Sequence, residues 1–244
     1  MDAAAKRAAF RALHANGCFV LPNPWDIGSL RRLETLGFRA VASTSAGFAW
    51  SIGRDDLSVT RDDVLGHLDK LCAATDLPVN ADFEAGFADA PDGVAENVAL
   101  AVETGVAGLS IEDREGDALY DKSLAVERIA AARAAIDAKD PQTMLIGRCE
   151  AFLVGQKDID AVIERLVAYG QAGADCLYAP AVTELEMIRA LVQAVAPKPV
   201  NVLLMSPAMR VADLEALGVR RVSVGSRLAF AAWGRFRSGR TQPA

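Results

Sequence analysis

Asp82 and Glu84 stand two residues apart at the end of a short apolar run, PVNADFEAGF over 78–87, and a glycine turn follows at once. Carboxylates at the carboxyl end of a strand suit a metal or an acid–base site. The arrangement recurs at 106–114, VAGLSIEDR, which ends in Glu112 and Asp113, and at 143–150, TMLIGRCE, which ends in Arg148 and Glu150. Side chains alternate along a strand, so Asn80 and Asp82, Ser110 and Glu112, and Ile146 and Arg148 each share a face. If these strands are parallel neighbours, acids and one arginine meet in a single cup.

Such a cup needs parallel strands that end together, and the punctuation of the chain supplies them. β-rich runs lie near 17–22, 39–44, 78–82, 106–111, 143–148, 174–178, 199–204 and 219–224. Amphipathic stretches of helical length fall between them at 25–36, 61–75, 91–104, 123–138, 156–171, 183–195, 210–217 and 226–237. Gly37, Gly105, Gly173 and Gly218 follow helices, and Thr60, Pro91 and Thr183 lie near helix starts. Eight βα repeats after an N-terminal helix predict an α/β fold, a parallel eight-stranded (β/α)₈ TIM barrel formed by residues 1–244 as one domain. No GxGxxG or GxxxxGK[ST] loop supports an open doubly wound sheet.

In a barrel of this kind reactive groups sit at the carboxyl ends of the strands. The mouth would receive Asp26, the turn Ser43 to Gly47, Asn80 to Glu84, Glu112 to Arg114, Arg148, Glu150, Tyr178, Asn201, Met205, Ser226 and Arg227. The segment 45–60 is the longest connection and contains Trp50 with Asp55 and Asp56, which reads as a mobile lid.

Composition narrows the function. A net charge of −6 and a pI near 5.1 exclude a basic nucleic-acid footprint and give no attraction to an anionic membrane. The N-terminus is a charged amphipathic helix rather than a signal peptide, so a cytoplasmic protein with a small-molecule substrate is expected. A homo-oligomer stays open. Cys18, Cys72, Cys149 and Cys176 lack CxxC spacing and are expected to be reduced and mostly buried. His14 and His67 fall on helices away from the mouth, as surface or half-buried residues, leaving acid–base work to Asp, Glu, Tyr or metal-bound water.

Five segments in register, TSAG, GRDD, NADFEAGF, SIED and GRCEAF, resemble the isocitrate lyase/phosphoenolpyruvate mutase superfamily, in particular its short phosphonomutase-like branch. The likeness covers nearly the whole chain. It implies a lyase or phosphonomutase-like enzyme that uses Mg²⁺, with Mn²⁺ as the other option, to hold a small 2-oxo acid such as oxaloacetate or phosphonopyruvate, or its enolate. A C–C or P–C bond is then made or broken next to the carbonyl. The resemblance assigns metal binding to Asp82, Glu112 and Asn80, and catalysis to Arg148, Asp56 and Glu112. It assigns substrate binding to Ser43, Ser45, Ala46, Gly47, Phe48, Arg148 and Asn201.

Three departures qualify it. Asn80 stands where family members often carry aspartate; the segment EDREGDALYDKS lacks the KKCGH cysteine of the isocitrate lyases; and little chain follows helix 226–237 to be exchanged between subunits. Isocitrate-type cleavage is therefore not expected. Two alternatives remain: a non-catalytic carboxylate-binding barrel, and an unrelated sugar-phosphate barrel that would hold phosphate at Gly225 and Ser226.

Overall fold

The computed structural model describes residues 1–238 of the chain. Helix α1 (Ala3–Ala15) leads into β1 (Phe19–Leu21), α2 (Ile27–Thr35) and β2 (Val41–Ala42), then α3 (Ser45–Ser51), α4 (Arg61–Ala74), β3 (Val79–Asp82), α5 (Pro91–Glu103) and β4 (Gly108–Glu112). A hairpin, β5 (Arg114–Glu115) with β6 (Ala118–Leu119), precedes α6 (Lys122–Lys139), β7 (Met144–Arg148), α7 (Ile159–Gln171) and β8 (Cys176–Tyr178). The chain continues through α8 (Leu185–Val195), β9 (Val200–Leu203), α9 (Val211–Ala216), β10 (Arg221–Ser223) and α10 (Arg227–Ser238).

Eight of the strands form one parallel sheet in the order β1-β10-β9-β8-β7-β4-β3-β2. The two end strands approach closely enough for the Ala42 N–H to donate to the Pro22 carbonyl at 3.0 Å, which nearly closes the barrel. The expected (β/α)₈ architecture is therefore present. Residues 239–244 lie outside the described residues, and with them the tail on which the expectation about helix exchange depends.

Local chemistry explains the elements. Asp26 and Ser29 form a reciprocal capping box at the start of α2, as Thr60 and Asp63 do for α4, and Asp158 caps α7. Pro91 opens α5, where its missing N–H costs nothing. Strand residues are buried on both faces, and two apolar clusters result. One lies between strands and helices. The other fills the lower barrel with Phe19, Leu21, Met144, Ile146 and Cys176, closed from below by Phe10 of α1. Gly108 permits that closure, since a Cβ there would stand 2.9 Å from the Phe10 ring and 3.0 Å from Asn80 Oδ1.

Three expectations need correction. Residues 45–60 are not one open lid loop, because Thr44 caps the seven-residue helix α3 over their first half. The hairpin β5–β6 was not expected; it arises where the sheet strand β4 ends and Gly116 supplies a positive-φ turn. His14 and His67 are both buried, His14 edge-on to Phe10 and Phe19 and His67 stacked on Phe48 at 4.0 Å. Burial pushes their pKa values down to about 3 and about 4, respectively, so both rings are neutral packing groups at neutral pH. Among the described residues no helix is long and apolar enough to cross a membrane.

Candidate active site

A cavity of about 360 Å³ opens at the carboxyl ends of the strands. Ser43, Ser45, Ala46, Asp56, Asn80, Asp82, Glu112 and Arg148 all line it, so most of the sequence-predicted site residues meet there. Strand alternation accounts for this: Asn80 and Asp82, Ser110 and Glu112, and Arg148 all project inward. Cys149 and Ile111 project outward into the layer under the helices.

Arg148 organises the mouth. Its Nη1 lies 2.9 Å from Glu112 Oε1 and 3.2 Å from Asp82 Oδ1, and its Nε donates to Glu150 Oε1 at 2.5 Å. The guanidinium also sits 5.2 Å from the centre of the Tyr178 ring. Register places these groups together, since Arg148 pairs across the sheet with Glu112 on one side and Tyr178 on the other. Three carboxylates share one guanidinium in a buried site, and their mutual repulsion matters. Burial, reinforced by Glu150 and Asp82, holds the Glu112 carboxyl well above the usual range despite Arg148. Burial and the Asp82 charge raise Asp56 as well, and raise Glu84 to about 8.

Glu84 occupies the left-handed region, at φ +48°, in the turn after β3. A non-glycine residue there is strained by about 1 to 2 kcal/mol. Its Oε1 is sealed from solvent with no hydrogen-bond partner among the described residues. Asp82 also braces the start of α3, where its Oδ2 accepts from the backbone N–H and the hydroxyl of Ser45, at 3.0 and 3.1 Å. Ser43 Oγ accepts from the Asp82 N–H at 2.8 Å, which fixes the strand end.

Several placements expected from the sequence do not carry over in that form. The Ser45 N–H is taken by Asp82, and the Gly47 N–H turns to Thr44 Oγ1, so neither donor faces the cavity unengaged. Gly47 is packed against Thr44, Trp25 and Ala229, and Phe48 stacks on His67, so these two residues support α3 from behind. Asn201 is buried beside the cavity rather than lining it; it accepts from Arg221 Nε and donates to Ser223 Oγ. Asp26 caps α2 outside the cavity. Asp113 lies on the outer face, where it accepts from Tyr169 Oη at 2.6 Å, from Arg165 and from the Glu150 N–H.

Two residues that the sequence did not single out matter here. Asn23 Oδ1 accepts from the N–H groups of Val224 and Gly225, at 3.1 and 2.8 Å, which ties β1 to the turn after β10. That turn was the expected phosphate grip, and its Gly225 donor is already engaged. Arg221 lines the cavity from within β10. A charged residue inside the apolar run VRRVSV was the available signal.

Comparison with known proteins bears on the family and the fold. The sequence model of the family described as phosphoenolpyruvate phosphomutase matches residues 10–242. The 2-methylisocitrate lyase of Escherichia coli K12 is 37% identical over 174 residues, which are 66% of this chain and 57% of that protein. The crystal structure of a provisionally assigned lyase/mutase from Burkholderia cenocepacia J2315 superposes with a TM-score of 0.95 at 48% identity, covering 98% of this chain and 88% of that one. An oxaloacetate acetylhydrolase in complex with its product oxalate superposes at 0.87 with 27% identity, covering 96% and 84%.

Proposed function

Because the chain belongs to the phosphoenolpyruvate phosphomutase family, we propose that it is a Mg²⁺-dependent enzyme that makes or breaks a C–C or P–C bond beside the carbonyl of a small 2-oxo acid. The observation that carries this reading is the single guanidinium of Arg148 shared by Asp82, Glu112 and Glu150 at the barrel mouth. The oxalate complex of the acetylhydrolase supports it, since oxalate has the shape and charge of a 2-oxo acid's carboxylate end. Family membership displaces the unrelated sugar-phosphate barrel.

The residues fit a divalent cation. The donors at hand are hard carboxylate oxygens; burial, then the neighbouring acids, pushes Glu84 and Glu112 toward the protonated form, and Glu84 Oε1 is orphaned. Hard oxygen donors of this kind suit a Mg²⁺ ion held through one or two carboxylates and completed by water. Asp82 and Glu112 would hold it, with Asn80 and Asp56 at the edges of its shell, and Mn²⁺ would be accepted by the same donors. Bound there, the ion supplies Lewis-acid polarisation of the 2-oxo carbonyl.

The chain's own groups do the rest. Cleavage beside the carbonyl leaves an electron pair that spreads onto the carbonyl oxygen. Arg148 keeps one terminal nitrogen without a protein acceptor among the described residues, and this nitrogen donates to that oxygen as charge develops. Glu150, buried against Arg148 Nε, fixes the plane of the guanidinium. Burial keeps the Tyr178 phenol protonated, its pKa pushed up to about 12, so this group can return a proton to the carbon. No cysteine lines the cavity, and Cys149 and Cys176 are buried with raised pKa values, so thiol acid–base chemistry has no place here.

An NMR turnover screen with Mg²⁺ over oxaloacetate, phosphonopyruvate and branched 2-hydroxy diacids and tricarboxylates tests the proposal. Product that disappears with EDTA and in Asp82→Ala is expected. Oxalate binding with no product from any of them would favour the non-catalytic carboxylate-binding barrel.

A further inference from the structure

Arg7, Arg128 and Arg221 are the arginines buried among the described residues, and they are not partnered alike. Arg7 donates to the Asp140 carboxylate and to the carbonyls of Val102 and Val106. Arg128 donates to the carbonyls of Ala85, Ala88 and Asp89. Arg221, only 2% exposed, has just two acceptors, and both are side-chain amides. Its Nε donates to Asn201 Oδ1 at 2.9 Å, and its Nη1 donates to Asn80 Oδ1 at a long 3.3 Å.

A guanidinium presents five N–H donors in a rigid fork, and two neutral oxygens neither satisfy them nor balance the charge. Arg221 makes no ion pair with a carboxylate among the described residues, and its Nη2 has no protein acceptor there. The side chain nevertheless faces the cavity, beside Asn80, Ser110, Tyr178 and Ser223. A buried cation that is left unpaired and opened to a pocket is complementary to an anion brought by the ligand.

Depth identifies which part of the ligand. Asn80 precedes Asp82 by two residues on the tilted strand β3, so the Arg221 contact lies about 5 Å deeper in the barrel than the Asp82–Arg148 pair. A group bound at Arg221 is therefore separate from the carbonyl end held at the mouth. We propose that Arg221 anchors a second acidic group of the substrate, a carboxylate or a phosphonate, and so selects dianionic 2-oxo acids over monocarboxylic ones. This deepens the reading of the mouth as a 2-oxo acid site and rests on it.

Matched ligand pairs provide the test, by calorimetric titration of the full chain with Mg²⁺ present. Malate against lactate reads a carboxylate, phosphonopyruvate against pyruvate reads a phosphonate, and oxalate reports the mouth alone. The wild-type protein is expected to favour at least one dianion over its partner by about 10- to 100-fold, the worth of one charge-assisted anchor. In Arg221→Met that ratio falls toward one, with oxalate affinity kept within about threefold. Asn201→Asp gives Arg221 an internal carboxylate at its 2.9 Å Nε contact without removing the arginine or touching the proposed metal shell, so it serves if the first variant does not fold, and it too is expected to erase the preference. A wild-type ratio near one, or a preference that survives in either variant that still binds oxalate, overturns the proposal. Failure of the wild type to bind oxalate instead overturns the reading of the mouth, and this inference with it.

Discussion

Arg148 at the mouth and Arg221 deeper in the same barrel are both guanidiniums facing one cavity, yet three carboxylates surround the first and two amides the second. At the mouth three acids crowd one guanidinium, and burial first, then the neighbouring acids, drives Glu84 and Glu112 toward the protonated form. At the floor the positive charge is in excess, and burial depresses Arg221 because no acid answers it. A single pocket thus carries two unsatisfied electrostatic demands of opposite sign. The same residue type performs different work according to the acceptors that the strands bring beside it.

Substitutions at the two levels should therefore fail in different ways. The largest effect is expected at the mouth. Arg148→Ala leaves Asp82, Glu112 and Glu150 buried without their shared partner, costing about 3–5 kcal/mol in stability and about 10²- to 10³-fold or more in kcat. Thermal unfolding with and without Mg²⁺ checks it: the ion should restore part of the lost stability, and an unchanged Tm would deny that Arg148 holds the cluster together. Glu150→Gln comes next. It keeps the hydrogen bond to Nε but removes its charge, so kcat should fall by about tenfold with KM little changed; an effect confined to KM would move Glu150 from orienting Arg148 to binding substrate.

At the floor, Ser223→Ala removes the hydroxyl that Asn201 holds beside Arg221. A rise in KM of about two- to fivefold is expected, since one neutral hydrogen bond is worth about 1 kcal/mol. Steady-state kinetics on the substrate found by the screen would show whether floor substitutions fall on binding alone. The smallest effect concerns His14, under the barrel. Burial, then the Arg221 charge, lowers its pKa from 6.5 to about 3. The folded state binds fewer protons than the unfolded one, so His14 contributes stability that is present above pH 6.5 and is lost as pH falls toward 3. NMR titration of the ring should place its pKa higher in Arg221→Met than in the wild type, and an identical value would separate the two groups.

Much of this contrast was readable in one dimension for the mouth and almost none for the floor. Asp82, Glu112 and Arg148 announce themselves because each ends an apolar run, and period-2 alternation puts each on the same face as the small or polar residue two positions before it. Arg221 sits inside such a run next to Arg220, and adjacent arginines of identical type give no clue to which turns inward. Register decided that. Likewise the resemblance makes TSAG a substrate-binding turn, whereas the folded chain spends the Ser45 N–H on Asp82 and the Gly47 N–H on Thr44. Local patterns do not record where a donor finds its acceptor, because these acceptors depend on how the backbone turns and, for Ser45, come from 37 residues away.

The barrel, its eight βα repeats and the identity of the acids at the strand ends were all written in the order of residues, because hydrophobic periodicity and turn residues act over a few positions. How the charges are shared came from the folded chain alone. Glu112, Asp82 and Glu150 converge on Arg148 from two strands and a loop, while Arg221 meets Asn80 from across the barrel, 141 residues away, and Asn201 from the neighbouring strand, 20 residues away. Electrostatic energy depends on distance through space and on exclusion of water, and closure of the barrel sets both.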